Sequence, residues 1–101
     1  MRCMDIGYLF HGQHFVWDSE KAARNLAKHG VSFEEASEVF FDPFVLLENA
    51  SPGDEARHAA IGLTEDWELL FVVHLIQEEE TIRIISARPA AAHERSRYEN
   101  E

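Results

Sequence analysis

Four of the nine lysines and arginines in this chain fall in its closing stretch, RIISARPAAAHERSRYENE at residues 83–101, although the formal net charge is −10. Between positions 81 and 98, Arg83, Arg88, Arg95 and Arg97 are accompanied by one acid, Glu94, while Glu78, Glu79 and Glu80 form an acidic knot just before them. Clustered cations of this kind suit a phosphate whose oxygens gather negative charge in a transition state. Arg57 could join them. A second group, Lys21, Arg24 and Lys28, is followed by His29, the side-chain type that titrates near neutral pH and serves acid-base chemistry. Tyr98 adds a phenol to the closing cluster.

Each of these residues also has a structural reading. Arg83 could pair across a sheet with Glu68 or Glu78. Lys28 and His29 could serve a helix C-terminus, where cations are favoured. His74 lies in an apolar strand and suits a hydrogen-bonded core position. His93, Arg97 and Tyr98 could form a solvated basic helix face with the tyrosine ring turned inward. On a regular strand Arg83 and Arg88 would point to opposite faces, so they meet one ligand only if the strand ends or bends between them.

Other chemistries lack their residues. The six histidines, at 11, 14, 29, 58, 74 and 93, show no metal-ligand spacing, and no metal or cofactor is expected. There is no G-x-S-x-G and no glycine-rich phosphate loop, and the one cysteine, Cys3, cannot form an internal bridge. The longest apolar run, Leu69 to Ile76, is interrupted by His74 and is far short of a membrane span. With no signal-like leader, the expectation is a cytoplasmic protein without membrane contact. The excess of 19 acids over 9 bases opposes non-specific binding to nucleic acid, so any polyanion must be held by a segregated cationic surface.

The elements that must position these groups follow from pattern. A chain of 101 residues that is 46% apolar is one α+β domain with a packed core. Residues 1–13 have no clear period and are read as a leader of uncertain order, with the domain at 14–101. HFVWD reads as a strand. Asp18 or Ser19 then caps a helix that ends at Gly30, with Ala22, Ala23, Leu26 and Ala27 on its core side and Lys21, Arg24, Asn25 and Lys28 opposite. Ser32 and Glu35 form a capping box for a second helix, which buries Phe33, Ala36, Val39 and Phe40 and ends by Asp42-Pro43. FVLLE, RHAAIGLT, ELLFVVHLI and TIRIISAR read as four strands, the first two separated by the loop NASPGDEA. Pro89 opens a last helix. Consecutive strands joined by short turns imply an antiparallel sheet with two N-terminal helices and a C-terminal helix.

The stretches FVWDSEKAARNLAKHGVSFEEA, DP, DEARHAAIGLT and IRIISARPAAAHERSRYE resemble, in order and spacing, the BrnT family of toxins from type II toxin-antitoxin systems, over about Phe15 to Glu99. W-D-x-x-K-x-x-x-N-x-x-K-H-G and I-I-S-A-R-x-x-x-x-x-E-R-x-x-Y carry the resemblance. It implies a RelE-like fold and a metal-independent ribonuclease that cuts RNA and arrests growth. It also implies a BrnA-like ribbon-helix-helix antitoxin as partner, with DNA contacted only through the antitoxin complex. Carried over by position, Arg57, Arg83 and Arg88 become phosphate-binding or transition-state cations, with His29 and Tyr98 as acid-base candidates. Lys21, Arg24, Lys28, Arg95 and Arg97 become RNA contacts, and Glu94 orients Arg95 or Arg97. Two alternatives remain: a non-catalytic module that only binds an antitoxin-like protein, and a binder of small acidic metabolites.

Overall fold

A computed structural model describes residues 4–51 and 54–100. Cys3 and the centre of the NASPGDEA loop, positions 52 and 53, lie outside them. Six strands run β1 Asp5–Phe10, β2 Gln13–Asp18, β3 Leu46–Ser51, β4 Asp54–Leu63, β5 Leu69–Ile76 and β6 Ile82–Pro89. The helices are α1 Ser19–His29, α2 Phe33–Glu38 and α3 Ala92–Glu99. The sheet order is β1-β2-β6-β5-β4-β3.

The α+β class stands, but the sheet is mixed and not wholly antiparallel. β2 pairs parallel to β6 through Phe15 with Ile82 and Val16 with Arg83. Short turns fix only the relative directions of β3 to β6. The direction of β2 against β6 is set by the helical connection that carries the chain from β2 to β3 at the opposite edge of the sheet, which local turn signals do not encode.

Residues 5–10, read from the sequence as part of a leader, form the edge strand β1. His11 and Gly12 have φ of 50° and 80°, the double positive φ of a two-residue hairpin turn. Tyr8 then lies 5.5 Å from Trp17, ring to ring, on the main core. Gly7 and the exposed Leu9 blur the alternation of Ile6, Tyr8 and Phe10 that would have announced the strand. NASPGDEA is also more strand than loop, since β3 reaches Ser51 and β4 starts at Asp54.

Local capping behaves as read. Asp18 Oδ2 accepts from the Lys21 amide at 3.1 Å, and Gly30 closes α1 in the left-handed conformation. Ser32 and Glu35 exchange hydrogen bonds of 3.0 and 3.1 Å to open α2. Phe33, Ala36 and Val39 then pack with Phe15, Trp17, Leu70, Val72 and Ile84. The short 3-10 turn Val39–Phe41 can lie on β4 because position 62 is glycine: a Cβ there would stand 2.9 Å from the Val39 carbonyl oxygen.

Two helices differ from expectation. α1 buries Asn25, while Leu26 is 50% exposed and Ala23 and Ala27 face solvent. Hydrogen bonding rather than apolar contact decides this face, as described below. α3 starts at Ala92, not at Pro89, which instead ends β6. The Ala90 amide still donates to Leu69 at 2.9 Å, continuing the ladder, and the Glu94 carboxylate accepts from the Ala91 amide at 2.7 Å to start the helix.

Candidate functional site

A bulge in β6 decides which arginines share a surface. Val73 pairs with Ser86 but His74 pairs with Ile84, so Ile85 is an extra residue in the ladder. Ile82 and Ile84 point toward the helix-side core before the bulge, and Ala87 does so after it. Arg83 and Arg88 therefore occupy the opposite face together, although five positions apart. Arg57 belongs to the same face by alternation, because its neighbour His58 pairs with His74 on the helix side. The β5 partners of Arg83 and Arg88 are Leu75 and Phe71, four residues apart, which separates the two arginines by roughly 13 Å along the sheet. α3 packs against β4, bringing Arg95, Arg97 and Tyr98 to this side.

Arg83, Arg88, Arg95 and Arg97 are each paired with a carboxylate of the same chain. Arg83 donates to both oxygens of Asp5, at 3.3 and 2.7 Å, and not to Glu68 or Glu78 as the sequence suggested. The guanidinium lowers the Asp5 carboxyl below its usual range, chiefly through the side-chain hydrogen bond. Arg88 forms a two-pronged pair with Glu94, both bonds 2.7 Å, and its guanidinium lies 4.4 Å from the centre of the Phe71 ring. Glu94 is 2% exposed and its pKa is lowered, first by the Arg88 hydrogen bond. It thus holds Arg88, and neither Arg95 nor Arg97 as expected. Arg97 reaches Glu48 on β3 at 2.7 Å, and Arg95 approaches Glu99 at 3.8 Å.

Tyr98 donates to Asp42 Oδ2 at 2.5 Å. Burial and this bond push the phenol up to about 12, so it holds its proton at neutral pH. At Asp42 burial works to raise the carboxyl, but donors from Tyr98, Leu63 and Phe44 outweigh it and the net shift is downward. Together with Arg88–Glu94 and Arg97–Glu48, this bond fastens α3 to the sheet. His93 is exposed, with Nε2 3.8 Å from Glu94 Oε2.

The second cationic group forms a groove beside the bulge. Lys21, Arg24, Lys28 and His29 of α1 line it with Ile85 and Ser86, around a volume of about 350 Å³. Asn25 sets the geometry. Its side-chain amide donates to the carbonyls of Val31 and Ala87 at 3.0 and 2.8 Å and accepts from the Ala87 amide at 3.1 Å. β2 pairs with only the first two residues of β6, so Asn25 takes the place of a strand along the rest of that edge. The flanking cations are thereby fixed against β6. Arg24 pairs with Glu20 at 3.0 Å, both side chains being exposed, an arrangement that holds an arginine weakly. His29 stands with these α1 cations, not with Tyr98.

The sequence pointed to the cations but not to Asn25, Asp5, Asp42, Glu48 or Phe71. One signal for the bulge was present, since Ile82, Ile84 and Ala87 break strict alternation. Among the described residues, no group of three or more His, Cys, Asp or Glu side chains could hold a metal ion. No helix among them is long and apolar enough to cross a membrane.

This is a small α+β domain with arginines gathered on one sheet face and a basic helix along the neighbouring strand edge. The family model described as the ribonuclease toxin, BrnT, of type II toxin-antitoxin systems matches residues 17–94. Among solved structures, the 1.1 Å crystal structure of the Brucella abortus ribonuclease toxin, BrnT, is similar at 26% identity and a TM-score of 0.59. That match covers 74% of this chain and 92% of the other. No match was found among curated proteins. The chain belongs to the BrnT family of ribonuclease toxins of type II toxin-antitoxin systems. An antitoxin partner and an RNA substrate follow from that membership.

Proposed function

We propose that this protein is a metal-independent endoribonuclease that acts in the cytoplasm, arrests growth, and is neutralised by a BrnA-like ribbon-helix-helix antitoxin through which alone it meets DNA. The observation that carries the reading is the bulge at Ile85, which puts Arg83 and Arg88 on one face with Arg57. RNA supplies its own nucleophile. A base removes the 2′-hydroxyl proton, the oxygen attacks the adjacent phosphorus, and the 5′-oxygen leaves with a proton from an acid. In this reading Arg57, Arg83 and Arg88 are phosphate-binding or transition-state cations, spaced along the face so that Arg83 and Arg88 meet different phosphates of one RNA strand. Lys21, Arg24 and Lys28 hold the RNA backbone along the α1 groove, with Arg95 and Arg97 as further contacts from α3. His29 lies in that groove and is the acid-base candidate there. Tyr98, with its proton retained, suits donation and not proton abstraction.

Because Arg88 neutralises a buried Glu94, Arg88→Ala would perturb folding as well as chemistry. Arg88→Lys keeps a cation beside Glu94 but loses the planar two-pronged fork. Expressed alone, the wild type is expected to stop growth and degrade RNA, while a soluble, folded Arg88→Lys loses at least about tenfold in cleavage rate. Full activity in that variant would remove Arg88 from the mechanism. A wild type that neither stops growth nor cleaves purified RNA would leave the partner-binding alternative.

A further inference from the structure

Away from the arginines, the β1–β2 turn, the Val39–Phe41 turn and the β4–β5 connection enclose a groove of about 360 Å³. Phe10, Phe41, Pro43, Leu63 and Trp67 supply its apolar lining. Trp67 is 80% exposed and neighbouring Phe44 is 77% exposed. An exposed tryptophan beside a concave apolar surface is the pattern of an interface anchor, since burying such a ring contributes more than almost any other side chain.

Trp67 is also held in place. Its backbone has φ of 65°, a conformation that bulky residues rarely adopt. The turn is locked around Thr64, whose side-chain oxygen accepts from the amides of Asp66 and Glu68 at 3.2 Å each. The Thr64 amide donates to Glu68 at 2.9 Å, and the Trp67 amide donates to Thr64 at 3.0 Å. Glu38 ties this turn to α2 by accepting from the Glu65 amide at 3.0 Å. The ring is thus presented to solvent by an ordered backbone.

The charge of the rim selects the partner. Glu38, Asp42 and Glu65 line the groove together with His11; Asp66 and Glu68 flank Trp67 in sequence, and among the described residues no lysine or arginine lines it. Aromatic rings can stack on nucleic-acid bases, but a carboxylate rim repels the phosphates that bases bring with them. A protein segment with lysine or arginine beside an apolar anchor meets both features at once. We infer that this groove is a docking site for such a cationic, apolar protein segment, distinct from the proposed RNA surface and adjoining it at Asp42, which accepts from Tyr98.

The test measures binding of three labelled probes to the full chain by fluorescence anisotropy: a lysine-leucine amphipathic peptide, its glutamate-leucine counterpart and a single-stranded uridine oligonucleotide. Trp67→Asn removes the ring while keeping a residue that tolerates the left-handed backbone. Glu38→Gln with Glu65→Gln removes rim charge and keeps the oxygen that accepts from the residue 65 amide. Glu78→Gln with Glu79→Gln removes the same charge elsewhere. The lysine-leucine peptide is expected to bind, with affinity falling about tenfold in Trp67→Asn and several-fold in the rim pair, and staying within about twofold in the distant pair. Circular dichroism melting confirms that each variant is folded. Absence of peptide binding, indifference to Trp67, or equal loss in the two glutamate pairs would overturn the inference. So would oligonucleotide binding that depends on Trp67. None of these readings uses RNA cleavage, so failure here leaves the ribonuclease proposal standing, and loss of that proposal leaves this one.

Discussion

Arg88 and Glu94 hold each other through two hydrogen bonds of 2.7 Å, one partner 37% exposed at its side chain and the other almost completely buried. The asymmetry matters more than the pair. Removing Arg88 leaves an uncompensated carboxylate under α3, whereas removing the carboxylate leaves an arginine that water can reach. Arg88→Ala is expected to destabilise the fold by about 2 kcal/mol, below the range for fully buried pairs because of the exposed guanidinium. Glu94→Gln should cost less, and Arg88→Ala with Glu94→Gln should recover part of the loss. Urea unfolding of the four proteins as a double-mutant cycle measures the coupling. Equal losses for the two single variants and simple additivity in the double would contradict it.

Asn25 makes a sharper prediction. Its side chain satisfies the amide and carbonyl of Ala87 and the carbonyl of Val31, all in a water-poor setting. Asn25→Ala leaves those groups without partners and is expected to lower stability by about 3 kcal/mol, more than its loss of packing would suggest. Amide hydrogen exchange should show the Ala87 amide losing protection before the β5 side of β6 does. An Ala87 amide that stays protected in a folded variant would show that the β6 edge does not need Asn25.

What could be read from the sequence was what depends on neighbours in the chain. The Ser32–Glu35 capping box, the Asp18 and Gly30 caps and the stop at Asp42-Pro43 are all decided within four residues. Periodicity puts Asn25 on a solvent face because it weighs only polarity, while Ala87, which takes two of its three hydrogen bonds, lies 62 residues away. Sequence proximity matches Arg83 with glutamates of nearby strands because the pairing strand β1 has no recognisable period. Its true partner, Asp5, is 78 residues distant. The same holds for the site. Residue types suggested cations for a phosphate, but the bulge that gathers two of them on one face arises in pairing with β5. The carboxylates that fasten α3 could not be assigned without the fold.

His74 supplies a pH dependence whose sign can be worked out. It is 2% exposed, its Nδ1 lies 3.3 Å from the Val72 carbonyl oxygen, and Phe40 meets its ring edge-on. Burial lowers its pKa from the ordinary 6.5. The unfolded chain therefore takes up this proton first as pH falls. Stability from the neutral imidazole is complete above 6.5 and is lost as pH drops through the lower folded value. Melting temperature is expected to decline from pH 7 toward pH 5, with a shallower decline in His74→Leu. Parallel curves for the two proteins would exclude His74 as the source.

The Tyr98–Asp42 bond should mark the α3 anchorage at both ends of the pH scale. At the alkaline end the phenol pKa is raised from 10.0 to about 12, so its contribution is full below 10.0 and is lost as pH climbs through about 12. At the acid end Asp42 and Glu94 are lowered from 3.8 and 4.5, so each contributes fully above those values and loses its share as pH falls through the folded ones. Glu38, raised by burial, opposes them, since the folded state takes up its proton first. With Asp5 also lowered by Arg83, three lowered carboxyls against one raised predict a net loss of stability below pH 4.5. Tyr98→Phe removes one of the donors that lower Asp42 and should lessen this acid loss while lowering neutral-pH stability by about 1 kcal/mol. Titrating phenolate absorbance against a Tyr98→Phe control isolates the Tyr98 transition from that of Tyr8. A Tyr98 transition at its ordinary value, with unchanged acid behaviour in the variant, would mean that Asp42 does not hold the helix.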